Sequence, residues 1–193
     1  MSFVRTLPFA LAFVATFAFA DVKTDLLAAH EAMVEAGKFR TKGTSTTKDG
    51  TQELWSEVQW PDRFHARNAG GEFIMIPGKS YMKQGGRWMA VPMDMSAMVK
   101  NLTPDAIRQS YANITNEKDH GESTLDGATV HVYEYDTSAT IMGIKADSHV
   151  KVWIDTDTGR VVKQEVEGSA AGMKSKTVQT YDYDPSIEVK APL

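Results

Sequence analysis

The sequence predicts a mainly β protein with one long helix, and three observations lead there. Apolar residues follow a helical 4-3-4-3 spacing once, early in the chain, as Val22, Leu26, Ala29, Met33 and Ala36. Beyond Phe39 the apolar period falls to two. Turn signals rich in Gly, Asp and Pro then recur too closely to join parallel strands, which need long crossovers.

Composition bounds the rest. A length of 193 residues suits one ordinary domain. Lys plus Arg number 21 and Asp plus Glu 25, a formal charge of −4, so the basic face that nucleic acid requires is not expected. The absence of Cys excludes a disulfide scaffold, a thiolate metal site, a Cys nucleophile and a lipid-modified Cys. Charged residues at 24% and aromatics at 9% argue against wholesale disorder.

Met1–Ala20 reads as a cleaved signal peptide. Arg5 is the positive n-region, Leu7–Phe19 the apolar stretch and Ala18-Phe19-Ala20 the small-x-small site. The run is too short to span a bilayer core of ~30 Å. A single domain of residues 21–193, in the periplasm, is then expected. Its modest apolar content fits a curved sheet around a cavity better than a solid two-layer core.

The helix ends at Gly37, a C-cap candidate. Strands are expected at Phe39–Thr47, Gln52–Trp60, Arg63–Asn68, Glu72–Pro77, Ser80–Gln84 and Arg87–Pro92, joined by Lys48-Asp49-Gly50, Pro61-Asp62, Ala69-Gly70-Gly71, Gly78-Lys79 and Gly85-Gly86. Met93–Ala112 interrupts this meander, with a short helix opened by Thr103-Pro104-Asp105. Strands resume at Asn113–Glu122, Thr129–Thr137, His149–Asp155, Arg160–Glu167 and Lys174–Tyr183, with Ser138–Ala146 expected as a loop. Ten or eleven antiparallel strands must close, stack or be capped, because open edges invite aggregation.

Several pieces of this order resemble one family. Trp60-Pro61-Asp62-Arg63-Phe64 looks like an Arg-Pro-x-x-Phe strand corner, Asp126-Gly127 before Thr129–Tyr135 like a recurrent turn, and Val152-Trp153-Ile154-Asp155 with Thr158-Gly159-Arg160-Val161 like a characteristic hairpin. Together they resemble the periplasmic lipoprotein carrier (LolA-like) family over residues 21–185. The resemblance implies an unclosed antiparallel barrel of about eleven strands with a helical lid. It further implies a concave side that holds lipoprotein acyl chains, with Phe64 at the entrance. The chain departs from the family at Trp60, which stands where the family carries Arg. An inner-membrane exporter and an outer-membrane acceptor are the implied partners, and a monomer is expected. Relatives of the fold also act as envelope-stress regulators that contact a protein partner, which is a second reading.

The cavity is expected to be lined by Leu54, Val58, Trp60, Phe64, Met75, Trp88, Met93, Met95, Met98, Ile141 and Met142. Leu54, Val58 and Trp60 share one face of their strand by alternation, against Trp55. Met is unbranched and polarizable, so it fits irregular apolar guests as well as core gaps. Met93-x-Met95-x-x-Met98 also admits a Cu(I) site, since soft thioethers select Cu(I). Trp55 and Trp153 share faces with charged residues. Asp155-x-Asp157-x-Gly159 with Glu165 lacks the spacing of a Ca²⁺ loop and reads as a hairpin turn. Asp119-His120-Gly121-Glu122 reads as a solvated polar strand. No hydrolase, phosphate-loop or zincin motif occurs, so no enzyme activity and no cofactor are expected.

Overall fold

The computed structural model describes residues 21–91, 108–109, 111–141 and 144–192. Residues 1–20, with the expected signal peptide, and Met93, Met95, Met98 and Met142 lie outside the described residues. The chain opens with α1 (Val22–Ala36). Asp21 caps its start by accepting from the Lys23 N–H at 3.4 Å. Gly37, at φ 71°, ends it in the left-handed conformation that only Gly adopts without steric cost.

Eleven strands follow: β1 (Lys38–Thr47), β2 (Gly50–Gln59), β3 (Arg63–Asn68), β4 (Gly71–Ile76), β5 (Lys79–Gln84), β6 (Arg87–Val91), β7 (Thr115–Leu125), β8 (Ala128–Ile141), β9 (Ile144–Asp155), β10 (Val161–Ala170) and β11 (Met173–Asp182). They form one antiparallel sheet in the order β6-β5-β4-β3-β2-β1-β11-β10-β9-β8-β7. The first six strands are a meander, as the turn spacing requires. The last five are a second meander, and β1 joins the two by pairing with β11. The sheet is not closed: β6 and β7 are its edges.

The face on which α1 packs is the inner one. Leu26, Ala29 and Met33 of α1 pack with Phe39, Val58, Tyr133, Tyr135, Val150, Val152, Ile154 and Val161. Burial of a side chain such as Leu26 or Met33 contributes about 1.5–3 kcal/mol. The Tyr133 hydroxyl donates to Asp25 Oδ2 at 2.6 Å, fixing the helix's angle on β8.

The carboxy-terminal segment crosses the outer face without regular structure. Ile187 and Val189 are buried there against Ile74 and Tyr81. The Arg63 guanidinium donates to the Val189 carbonyl at 3.1 Å, and the Val189 N–H donates to Gln59 Oε1 at 3.1 Å.

The two edges differ. β7 carries two register shifts, between Thr115 and Lys118 and between Asp119 and Gly121, which bend an edge away from foreign strands. Lys118 and His120 hold it down by bonding Glu134 at 2.6 and 3.0 Å, and His131 bonds Asp119 at 2.5 Å.

The stretch expected as a loop at 138–146 is instead a hairpin. Ser138 pairs with Asp147, Ala139 with Ala146 and Ile141 with Ile144. Small residues carry that ladder, so the large-apolar alternation that marks a strand in sequence is missing. β7 likewise starts at Thr115 and runs on to Leu125, its polar pattern broken by the bulges. Residues 108, 109, 111 and 112 are helical, within the expected short helix.

Candidate functional site

Register decides which side chains share the inner wall. Val58 lies opposite Phe64, Phe64 opposite Met75 and Met75 opposite Ser80. One step along the strands, Ala66 lies opposite Phe73, Phe73 opposite Met82 and Met82 opposite Met89. These two rows form an apolar wall on β3–β6. The hairpins that build it have two-residue turns, Ala69-Gly70, Pro77-Gly78 and Gly85-Gly86, which fix the parity of each strand.

The inner side is therefore divided. Over β8–β10 the wall is filled by α1, and its Tyr, Val and Ile side chains are buried. Over β3–β6 no large apolar side chain of the two rows is fully buried: Phe64, Phe73, Met75 and Met82 are half-buried and Met89 is 44% exposed. A chain of this composition that leaves five large apolar groups together on one face of the sheet has a surface suited to an apolar guest.

Of the residues expected to line a cavity, Val58, Trp60 and Phe64 meet at the edge of the helix-packed cluster, and Met75 continues their row. The Trp60 N–H donates to the Gly37 carbonyl at 2.7 Å, which ties the β2–β3 corner to the end of α1. Leu54 is half-buried midway along β2, opposite Gly43. Ile141 is the last residue of β8.

Trp88 is a correction. The Gly85-Gly86 turn pairs Arg87 with Gln84, so Trp88 pairs with Lys83 and faces outward. It packs beside Ile74, Tyr81, Ile187 and Val189, on the opposite side from Met75. Over the second meander α1 fills the inner side. Phe73, Met82 and Met89 were absent from the expected lining. Alternation within Glu72–Pro77 and the two-residue turns carried the signal that finds them.

Three open depressions lie elsewhere among the described residues. One of about 340 Å³ at the hairpin ends is lined by small groups and by Val166 and Met173, the latter 62% exposed. A second of about 830 Å³ is polar, with Thr47, Lys48, Thr137, Ser148, His149 and Ser175 in its lining. A third of about 900 Å³ surrounds Trp55.

Buried phenols crowd the base of the inner core. Burial pushes Tyr181 up to about 12 and raises Tyr133, Tyr135 and Tyr183 as well. They stay neutral at physiological pH and donate hydrogen bonds: Tyr181 to Gln164 Oε1 at 2.9 Å and Tyr183 to the Val161 carbonyl at 2.7 Å. Several ionisable groups are paired at the surface. The Lys83 ammonium, with burial opposing it and His65 assisting, holds Glu72 below the usual carboxylate range. The Asp155 carboxylate accepts from the Thr158 N–H and hydroxyl at 2.8 and 2.7 Å, the bonds of a turn.

No family model and no curated protein matches the sequence. Solved structures do. LprF from Mycobacterium bovis is similar at TM-score 0.58 and 12% identity, over 89% of this chain and 98% of that one. The lipoprotein LppX of Mycobacterium tuberculosis is similar at TM-score 0.60 and 12% identity, over 87% and 97%. MucB, solved in complex with MucA(peri), overlaps 89% of this chain and 59% of its own length at TM-score 0.44 and 16% identity. At these identities the likeness concerns architecture: the chain has the LolA-like fold, an unclosed eleven-stranded antiparallel sheet wrapped partly around a helix.

Proposed function

We propose that the chain is a periplasmic carrier that lodges acyl chains, of a lipoprotein or of another lipid, against the inner wall of β3–β6. The observation that carries this reading is the half-exposed double row of Phe64, Phe73, Met75, Met82 and Met89 on a face whose other half is packed by α1. Leu54, Val58 and Trp60 border it, and Met93, Met95, Met98, Ile141 and Met142 are the sequence-based candidates to complete it. Among the described residues no helix is long and apolar enough to cross a membrane. An exporter that loads the carrier and an acceptor that unloads it follow from such a role.

Affinity sets the guest's size. Burial contributes about 0.8 kcal/mol per methylene. Association costs at least ~4 kcal/mol, and micromolar binding requires about −8 kcal/mol. A chain of roughly fifteen carbons or more is needed, so long acyl groups are the expected cargo.

The test is uptake of a fluorescent long-chain fatty acid by the wild type, by Phe64→Asp and by Met82→Asp. A charge in the wall abolishes uptake while circular dichroism stays native. Met82 lies away from the helix-packed cluster, so its variant separates binding from folding. Equal uptake by all three proteins, or none by the wild type, overturns the reading.

A further inference from the structure

The outer face carries an arrangement that acyl binding leaves unused. Register places Trp153 opposite Lys163, and Lys163 opposite Thr180. Thr180 pairs with Lys42, Lys42 with Trp55 and Trp55 with Arg67. The row runs on through Glu72 and Lys83 to Trp88 at the sheet edge. A tryptophan thus recurs every four strands along one line.

Each ring holds a cation over it: Lys163 is 4.3 Å from the Trp153 centroid, Arg67 5.2 Å from Trp55 and Lys83 5.4 Å from Trp88. Trp55, Lys42 and Arg67 line a groove of about 900 Å³. Thr44 and Thr180, on the same face of the sheet as Trp55, bring hydroxyls to the groove's lining. Glu53 is the one carboxylate in the lining. Lys42 and Arg67, on either side of Trp55, have no carboxylate partner among the described residues, in a chain whose formal charge is −4.

A flat surface cannot meet this row. Neighbouring strands rotate by about 20–25°, so four steps turn the next tryptophan by roughly 80–100°. A bilayer would reach one ring at a time, whereas a linear flexible chain can follow all three. The apolar faces of sugar rings suit indole rings. Acidic substituents suit Lys42 and Arg67 through charge-assisted hydrogen bonds, and sugar hydroxyls suit the Thr44 and Thr180 hydroxyls. We infer that the outer row centred on Lys42, Trp55 and Arg67 is a binding site for an acidic polysaccharide laid across the strands.

The experiment is calorimetric titration of the full chain with alginate oligosaccharides, with neutral dextran and polyglutamate as comparisons. Alginate binds, with an affinity that falls as salt rises. Trp55→Phe leaves the fold intact and weakens binding. Lys42→Gln and Arg67→Gln each weaken it about tenfold, the scale of one charge-assisted hydrogen bond. Fatty-acid uptake is unchanged in all three variants, which keeps this site separate from the inner wall. The inference is overturned if alginate does not bind, if dextran binds equally, if polyglutamate binds as tightly (an acidic-peptide site), or if the two cation variants bind like the wild type.

Discussion

Gly43 sits in the middle of β1, the strand that joins the two meanders, and it sets up a paired test of the register. A Cβ added there overlaps the Val178 carbonyl oxygen and lies 2.9 Å from Gln179 Cα. Those are backbone atoms of β11, held from behind by β10, so they cannot swing aside as a side chain would. Gly43→Ala must push β1 off β11. Overpacking costs about 1–3 kcal/mol, and each ladder hydrogen bond lost adds ~0.5–1.5 kcal/mol. The lower chain entropy of Ala returns about 0.5–1 kcal/mol. The net loss is about 2–4 kcal/mol, or roughly 5–15 °C in Tm for a domain of this size. Gly168→Ala is the matched control. Its Cβ would lie 3.4 Å from Ser175 Oγ and 3.6 Å from Ser148 Oγ, ordinary contacts with side chains that can rotate. The same substitution there stabilises by about 0.5–1 kcal/mol. Urea unfolding of both variants gives the comparison. Equal midpoints, or a Gly43→Ala protein as stable as the wild type, refute the β1–β11 register and the joined sheet with it.

Further expectations concern the core. Leu26, 2% exposed, anchors α1, so Leu26→Ala costs about 2–5 kcal/mol by urea unfolding; its cluster touches the wall only at Val58 and Phe64, so fatty-acid stoichiometry at the β3–β6 wall is retained. The tyrosines give an alkaline limit. Unfolded Tyr ionises near pH 10, whereas burial holds Tyr181 neutral to about 12, so the unfolded state releases protons first. Stability from these phenols is fully present below about pH 10 and is lost as pH rises towards 12. Urea midpoints that stay flat to pH 12, or phenolate absorbance that titrates normally in the folded protein, contradict that burial.

Much of this architecture was legible in the sequence because local signals and tertiary structure agree. Arg63–Asn68 is a strand over the expected residues, since Pro61-Asp62 and Ala69-Gly70 bracket an alternating run. The C-cap at Gly37 follows from a residue needing positive φ after an apolar stripe. Trp88 was placed on the wrong face because its own alternation is ambiguous; only the register inherited through three tight turns fixes it. The 138–146 hairpin was hidden because Ser, Thr and Ala pair without a hydrophobic pattern. The outer row of Trp and cations could not be read at all. Its members are spread from Lys42 to Lys163 and come together only when β1 pairs with β11.

The most direct measurement is native mass spectrometry of the protein purified from its own compartment, followed by lipid extraction. The carrier account predicts a mass adduct that extraction identifies as a long-chain acyl species, and that is missing from Phe64→Asp and Met82→Asp. A wild-type protein that carries no adduct and yields no acyl lipid contradicts it.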